Sequence, residues 1–272
     1  MKRKSRKKES DRIVYILIGV LLIIAAWFLI SYFLKKNGNM VFPYPHEAFG
    51  KVFVFLFSPK EAEKNWIAIG WTILRLLIGF SISYVLGIVL GTLAACHREI
   101  EHILKPWIVL SRTVPTAAVV LLFIGIFFTP KSRNVITFIP CALVFLVAFP
   151  LIYESVLKGL KNDSSELLEA LDLECGRNDA PAVVYVRWPN AAPYIRLGAI
   201  QSFGLSVKVL IMSEILCATS NSKPSLGGLI SNSQVNGEVE NIIPYSLIAL
   251  AMVALVDVVL NLVSSRIKID EE

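Results

Sequence analysis

The sequence predicts an all-α membrane protein of six transmembrane helices, with a further helix lying in the membrane interface after the first span. Three observations carry that prediction. The 272 residues are 55% apolar and only 18% charged, with a mean hydropathy of +0.64, whereas soluble domains run near 45–50% and 25%. Residues 14–34 form an unbroken apolar run of 21 residues, the length a helix needs to cross hydrocarbon. The formal charge of +6 is concentrated at one end: the first twelve residues hold seven Lys or Arg against Glu9 and Asp11. The rest of the chain is close to neutral and offers no basic surface for nucleic acid.

In order along the chain, residues 1–13 are a basic tail and 14–34 the first span, closed by Lys35-Lys36. The polar residues that follow offer no small-x-small cleavage site, so the run reads as a retained span and not a signal peptide. Residues 37–66 form an external segment. Within it, Phe42-Pro43-Tyr44-Pro45 leads into an apolar stretch over 46–57 that is too short to cross and is expected to lie in the interface. A five-helix core over 67–264 contains spans at 72–96, 107–128, 135–157, 192–216 and 242–263, and 265–272 is a tail. Pro115, Pro140, Pro150 and Pro193 fall within spans and predict kinks whose freed carbonyls neighbouring helices satisfy.

Orientation follows from Lys and Arg, which cytoplasmic loops retain in excess. With the N-terminus inside, 15 loop and tail Lys/Arg lie inside and 8 outside. Both termini and the stretch 159–190 are then cytoplasmic. The four cysteines form no CxxC pair, and the three histidines form no HExxH, so no metal site is expected. There is no GxxxxGK[ST] phosphate loop and no paired intramembrane carboxylates, so no catalytic residue is assigned and the chain does not read as an enzyme.

The 159–190 stretch is the most informative segment. Asp163-Ser164-Ser165-Glu166 has the form of a helix start, with a capping side chain and a Glu three residues on. Leu167, Leu168, Leu171 and Cys175 then share one face, with Glu166, Glu169 and Asp172 opposite. Gly176 is placed to end the helix, and Asp179-Ala180-Pro181 to begin another that runs into Arg187-Trp188-Pro189.

This segment resembles the cytoplasmic loop of permease subunits in bacterial ATP-binding-cassette importers, whose pattern is Glu-Ala-Ala, three residues, Gly, nine residues, Ile-x-Leu-Pro. Gly176 and Pro189 keep the thirteen-residue step, with Val186 and Trp188 at the Ile and Leu positions. The acidic end departs: counting back from Gly176 reaches Ala170, and Glu169-Ala170 fits with one residue inserted. Further matches are similar to the branch that includes permeases for nitrate, taurine, aliphatic sulfonates and thiamine-precursor pyrimidines. They are Pro43-x-Pro45-His46-Glu47, Thr72-x-Leu74-Arg75-x3-Gly79, Gly87-x3-Gly91, Arg112-x2-Pro115, Gly198 to Glu214, and Leu226-Gly227-Gly228-Leu229-Ile230.

The resemblance implies the fold of a type I importer permease in the bacterial inner membrane. It also implies a pair of ATP-binding-cassette ATPase subunits that use ATP, an extracytoplasmic solute-binding protein and a second copy of the permease or a similar partner. This chain itself binds no cofactor on that reading. The loop would be the coupling handle, carried by Glu166, Glu169, Ala170, Leu171, Gly176 and Pro189. A secondary transporter or channel without an ATPase is the alternative. It would predict repeated halves with paired broken helices, and the long loop has no counterpart between spans two and three.

Charges at membrane depth cost about 2.5–3.5 kcal/mol each at a helix centre and need a reason. Arg75, Arg112 and Arg196 fall near expected span ends and can snorkel. Lys208 and Glu214 lie deeper, about 120° apart on one helix. Each either faces the bundle, meets a partner on another helix or lines the translocation pathway. Asp257 is expected to make a helix–helix hydrogen bond or to act as a cap near the interface. Gly79, Gly87 and Gly91 are expected to allow close helix packing.

Overall fold

The computed structural model describes residues 2–37, 42–127, 133–218 and 223–266. The expected C-terminal tail lies outside them from residue 267 onward, and side chains of the basic tail are likewise outside. Among the described residues all regular structure is helical: α1 (Lys2–Lys36), α2 (Pro45–Phe57), α3 (Ala62–Cys96), α4 (Arg98–Thr113), α5 (Thr116–Phe127), α6 (Arg133–Lys161), α7 (Ser165–Glu174), α8 (Ala180–Ala182), α9 (Trp188–Cys217), α10 (Leu226–Val235) and α11 (Ile242–Arg266). A π-helical turn, Val183–Arg187, joins α8 to α9. Five helices are long and apolar enough to cross a membrane, or six when α4 and α5 count as one broken span.

That break corrects the expected third span over 107–128. α4 and α5 meet at a 96° bend, centred on Val114-Pro115. Pro115 has no N–H to continue the ladder and pushes Val114 to an extended conformation (φ −73°, ψ 128°). α5 alone is twelve residues, about 18 Å, against a hydrocarbon core of about 30 Å. Pro140, Pro150 and Pro193 instead sit inside α6 and α9 without ending them.

The chain divides into two compact units. The first comprises residues 1–65 and 232–248. Here α2 starts at Pro45, where a missing N–H costs nothing, and Glu47 Oε2 accepts the Tyr44 N–H at 2.9 Å. Lys35 Nζ donates to Glu47 at 2.8 Å and lies 4.1 Å from the Tyr44 ring centroid. The Trp27 indole N–H and the Ser31 hydroxyl both donate to Pro43 O, tying the start of α2 to α1. On α2, Pro45, Ala48 and Phe55 are buried, while Phe49, Phe53 and Phe57 form an exposed stripe at i, i+4, i+8, the amphipathic form expected of an interfacial helix.

The second unit, 66–231 and 249–272, is built on α6. Ala148, Ile152, Val156 and Leu160 of α6 pack on Ala191 and Ile195 of α9, with Phe80, Ile88, Ala95 and Trp188 around them. α3 presents bare backbone to α6 at three of four successive turns. A β-carbon on Gly79 would lie 2.7 Å from Cys141 O, one on Gly87 2.7 Å from Ile152 Cγ2, and one on Gly91 2.8 Å from Val156 Cβ. Buried Ser83 fills the same register and donates to Gly79 O at 2.7 Å. Small residues four apart thus set the helix–helix distance, as they do where packing and not water exclusion drives association. A second cluster joins Val120 of α5 to Ile136, Ile139 and Leu143 of α6 and to Cys217.

Candidate functional site

The loop between α6 and α9 is a folded unit. α7 is capped by Ser164, whose hydroxyl accepts the Leu167 N–H at 3.3 Å. The cap is therefore one residue later than Asp163, because the Asp163 carboxylate has another role. α7 ends at Gly176, which has φ +86° and whose N–H returns to Leu171 O at 2.8 Å. That left-handed conformation favours glycine. Beyond it, the Arg177 N–H donates to Asp172 Oδ1 at 2.9 Å and the two side chains form an ion pair. The hydrogen bond from the Arg177 side chain, and then that from its amide, hold the Asp172 carboxyl below its usual value. The same pairing raises Arg177.

The loop is closed by Arg187, only 4% exposed. Its Nε donates to Asp163 Oδ2 at 2.7 Å and one terminal nitrogen to Leu160 O at 2.9 Å. The other terminal nitrogen reaches Arg177 O at 3.2 Å and Asn178 Oδ1 at 3.3 Å. Asn190 donates to the second Asp163 oxygen at 2.7 Å. Both ends of the helix–turn–helix are thus stapled by one buried ion pair, with Arg187 at the end of the π-helical turn. Two bonds reach α3: Asn178 Nδ2 to Cys96 O at 3.0 Å and Trp188 Nε1 to Thr92 Oγ1 at 3.1 Å.

Of the residues singled out by sequence, Glu166, Glu169 and Ala170 are exposed along α7, Gly176 makes the reversal, and Pro189 lies exposed in the first turn of α9. Leu171 is buried within the chain. The apolar groups left on the surface are Leu173 on α7, 89% exposed, and Val184 and Tyr185, the latter 79% exposed. Arg187 and Asp163 escaped the sequence reading as a pair. The available signal was a lone charge in the apolar run Val183-Val184-Tyr185-Val186-Arg187-Trp188.

A second polar cluster lies within the span helices. Arg75 and Glu214 are both buried, with Arg75 donating to Glu214 Oε1 at 2.8 Å. This corrects the expectation that Arg75 snorkels and gives Glu214 a partner on another helix. Thr72 Oγ1 donates to Glu214 Oε2 at 2.9 Å and itself accepts the Leu226 N–H at 3.0 Å. The Gly227 N–H donates to Glu214 Oε2 at 3.2 Å, and Arg75 also reaches Lys223 O at 3.3 Å. The carboxylate therefore takes up the Gly227 amide in the first turn of α10, and the Thr72 hydroxyl that of Leu226, at a helix terminus that favours an anion. Gly227 sits so close to α9 that a β-carbon would be 2.7 Å from Ile211 O. A cavity of about 10 Å³ beside the pair, lined by Arg75, Thr137, Glu214 and Lys223 among others, has room for about one water. Arg112 pairs with Glu154, Arg196 is exposed, and so is Lys208. Among the described residues no group of His, Cys, Asp and Glu is placed to hold a metal ion.

A bundle of membrane-length helices, with small residues packing α3 on α6, one span broken at Pro115 and a stapled helix–turn–helix between α6 and α9, defines a multi-span transport permease. The chain belongs to the family of binding-protein-dependent transport system inner membrane components, whose model matches residues 87–268. It is similar to a probable ABC transporter permease of Brucella melitensis, 23% identical over 189 residues, 70% of this chain and 72% of the relative. A probable ABC transporter permease of Haemophilus influenzae is 24% identical over 228 residues, 83% and 84% of the two chains. A putative aliphatic sulfonates transport permease of Bacillus subtilis is 30% identical over 150 residues, 55% and 51%. The fold is similar to that of a chain in the crystal structure of a bacterial alginate ABC transporter in complex with an alginate pentasaccharide-bound periplasmic protein. The TM-score is 0.62 at 16% identity, over 95% of this chain and 97% of that one.

Proposed function

We propose that this chain is the membrane subunit of an ATP-driven importer. It works as a pair of copies on two ATP-binding-cassette ATPase subunits and receives a small solute from an external binding protein. The observation that carries the proposal is the loop stapled by Arg187 and Asp163, which presents acidic Glu166 and Glu169 beside exposed Leu173 and Tyr185. An apolar anchor with charged neighbours is the chemistry of a docking surface. Gly176 gives the loop its reversal, and Pro189 sets its return into the membrane.

The loop bonds to the end of α3 through Asn178 and to the end of α6 through Leu160 and Asp163, and it continues directly into α9. A pull on the loop therefore acts on three spans at once, which suits alternating access driven from a distance. Both termini and this loop are placed in the cytoplasm by the Lys/Arg count, and ATP is used by the partner. Lys208 and Glu214 are the pathway candidates. Glu214 is buried and tied to Arg75, Thr72 and Gly227, away from the exposed face of α9, whereas Lys208 is exposed and makes no ion pair or hydrogen bond among the described residues, which favours Lys208 of the two. The Bacillus subtilis relative puts an aliphatic sulfonate first among solutes to try, ahead of taurine, nitrate and pyrimidine precursors of thiamine.

The test is reconstitution in proteoliposomes with the ATPase and binding protein encoded beside this chain. Uptake should require internal ATP and the binding protein and should disappear with Glu169→Lys. Uptake driven by an ion gradient without an ATPase would overturn the proposal.

A further inference from the structure

Two charged side chains near the middle of long apolar helices, Lys208 on α9 and Asp257 on α11, make no ion pair or hydrogen bond among the described residues. Lys208 lies nine residues before the end of α9 and Asp257 nine before the end of α11, about 14 Å in each case. Intramembrane charges face a bundle interior or a wet cavity and pair with something.

Lys208 belongs to an exposed stripe with Gln201, Leu205 and Met212, spaced by four, three and four residues, so these side chains share one face of α9. A stripe carrying an amide and an ammonium at this depth is a poor lipid surface. Asp257 reaches the border of the same stripe: its Oδ1 lies 3.2 Å from where a β-carbon of Gly204 would be. Gly204 is one turn N-terminal to Lys208, and a helical side chain leans over the turn before its own Cα. The Asp257 carboxylate thus occupies the gap left by Gly204, and a Lys208 side chain leaning over the preceding turn can reach towards it.

We infer that Asp257 is a second charged residue of the translocation pathway and the exchangeable counter-ion of Lys208. The two close an ion pair over Gly204 when the pathway is empty, and Lys208 passes from Asp257 to the anionic group of a solute when it is occupied. This rests on the reading of the exposed α9 face as the pathway wall.

The test uses the permease assembled with its ATPase in membranes, without solute. Treatment with a membrane-permeant carbodiimide should join Lys208 to Asp257 within one chain, read as a cross-linked peptide by mass spectrometry. Separately, with the four native cysteines replaced by serine, Lys208→Cys and Asp257→Cys should react with a charged methanethiosulfonate at least tenfold faster than Leu255→Cys, an exposed position of α11. Fast labelling at both sites with a carbodiimide adduct on Asp257 but no joined peptide would overturn the pairing and leave the pathway reading standing. Labelling at 208 as slow as at 255 would overturn the pathway reading itself, and the inference with it.

Discussion

Replacing Arg187 with methionine should release the loop from the membrane helices while leaving those helices folded. The guanidinium is 4% exposed and donates to Asp163, Leu160, Arg177 and Asn178. Methionine keeps much of the stem's apolar contact but none of these bonds, and Asp163 keeps only its bond from Asn190. Removing one partner of a buried pair costs about 3–5 kcal/mol, most of it the stranded charge. Because the pair joins positions 24 residues apart at the two ends of the loop, the cost falls on local opening and not on the spans. At 1.36 kcal/mol per factor of ten, amide exchange over 165–186 should accelerate by roughly two to three and a half orders of magnitude. Exchange in the centre of α9 should be unchanged. Hydrogen exchange read by mass spectrometry on the purified protein measures both regions. Adding Asp163→Leu to the variant removes the stranded charge and should restore most of the protection. Unchanged exchange in Arg187→Met, or an equal rise in the loop and in α9, would refute the staple as a local device.

Gly176→Val forces a β-branched residue into φ +86° with a β-carbon 3.1 Å from Asp179 Oδ2. The left-handed conformation alone costs about 1–2 kcal/mol, so α7 should fray and ATPase co-purification fall, while thermal stability of the spans stays at the wild-type value. Gly87→Ala should lower the melting temperature in detergent, because its β-carbon meets Ile152 at 2.7 Å, an overpacking of the kind that costs about 1–3 kcal/mol. Gly70→Ala, with open space around it on the same helix, should be neutral or gain up to about 1 kcal/mol from helix propensity. Equal effects of the two would count against the α3–α6 packing account. The Glu47 carboxyl is held below its usual value first by the Lys35 ammonium and then by the Tyr44 amide. Its contribution to α2 is therefore complete above that usual value, near pH 4.5, and is lost as pH falls through the lower folded value. Exchange of the α2 amides, corrected for intrinsic rates, should rise on acidification in the wild type but not in Glu47→Gln.

The parts of this structure written in local chemistry were legible in the sequence. Hydropathy runs gave the long helices, and the Gly176–Pro189 step gave the two-helix loop, since a left-handed turn and a missing N–H are properties of single residues. Pro115 was legible as a kink but not as a 96° break, because the bend depends on what α4 packs against. That is Ala94 and Tyr153, which receive Ile108. The ion pairs were not legible, since Arg75 and Glu214 stand 139 positions apart and Arg187 and Asp163 pair across a fold that neither specifies alone. The misplaced cap has the same origin: Asp163 is a better local cap than Ser164 only while its carboxylate is free, and Arg187 takes it.

The two buried pairs also divide the labour along α9. Near its start, Arg187 and Asn190 hold the end of α6 through Asp163 and Leu160. Near its finish, Glu214 holds α3 through Arg75 and Thr72, and the N-terminus of α10 through the Gly227 amide. α9 itself is an unbroken helix of 30 residues, about 45 Å long, and packs on α6 along its cytoplasm-proposed half through Ala191 and Ile195. A displacement applied at the loop can therefore reach α10 through one continuous helix and the bond between Glu214 and the Gly227 amide. Among the described residues this unit bends sharply at Val114-Pro115, and just before that bend Arg112 of α4 makes a half-exposed ion pair with Glu154 of α6. On the proposed importer reading, a stiff rod with charged clamps at both ends, beside a helix pair bent at a proline, would suit the transmission of a pull on the Gly176 loop towards the membrane helices.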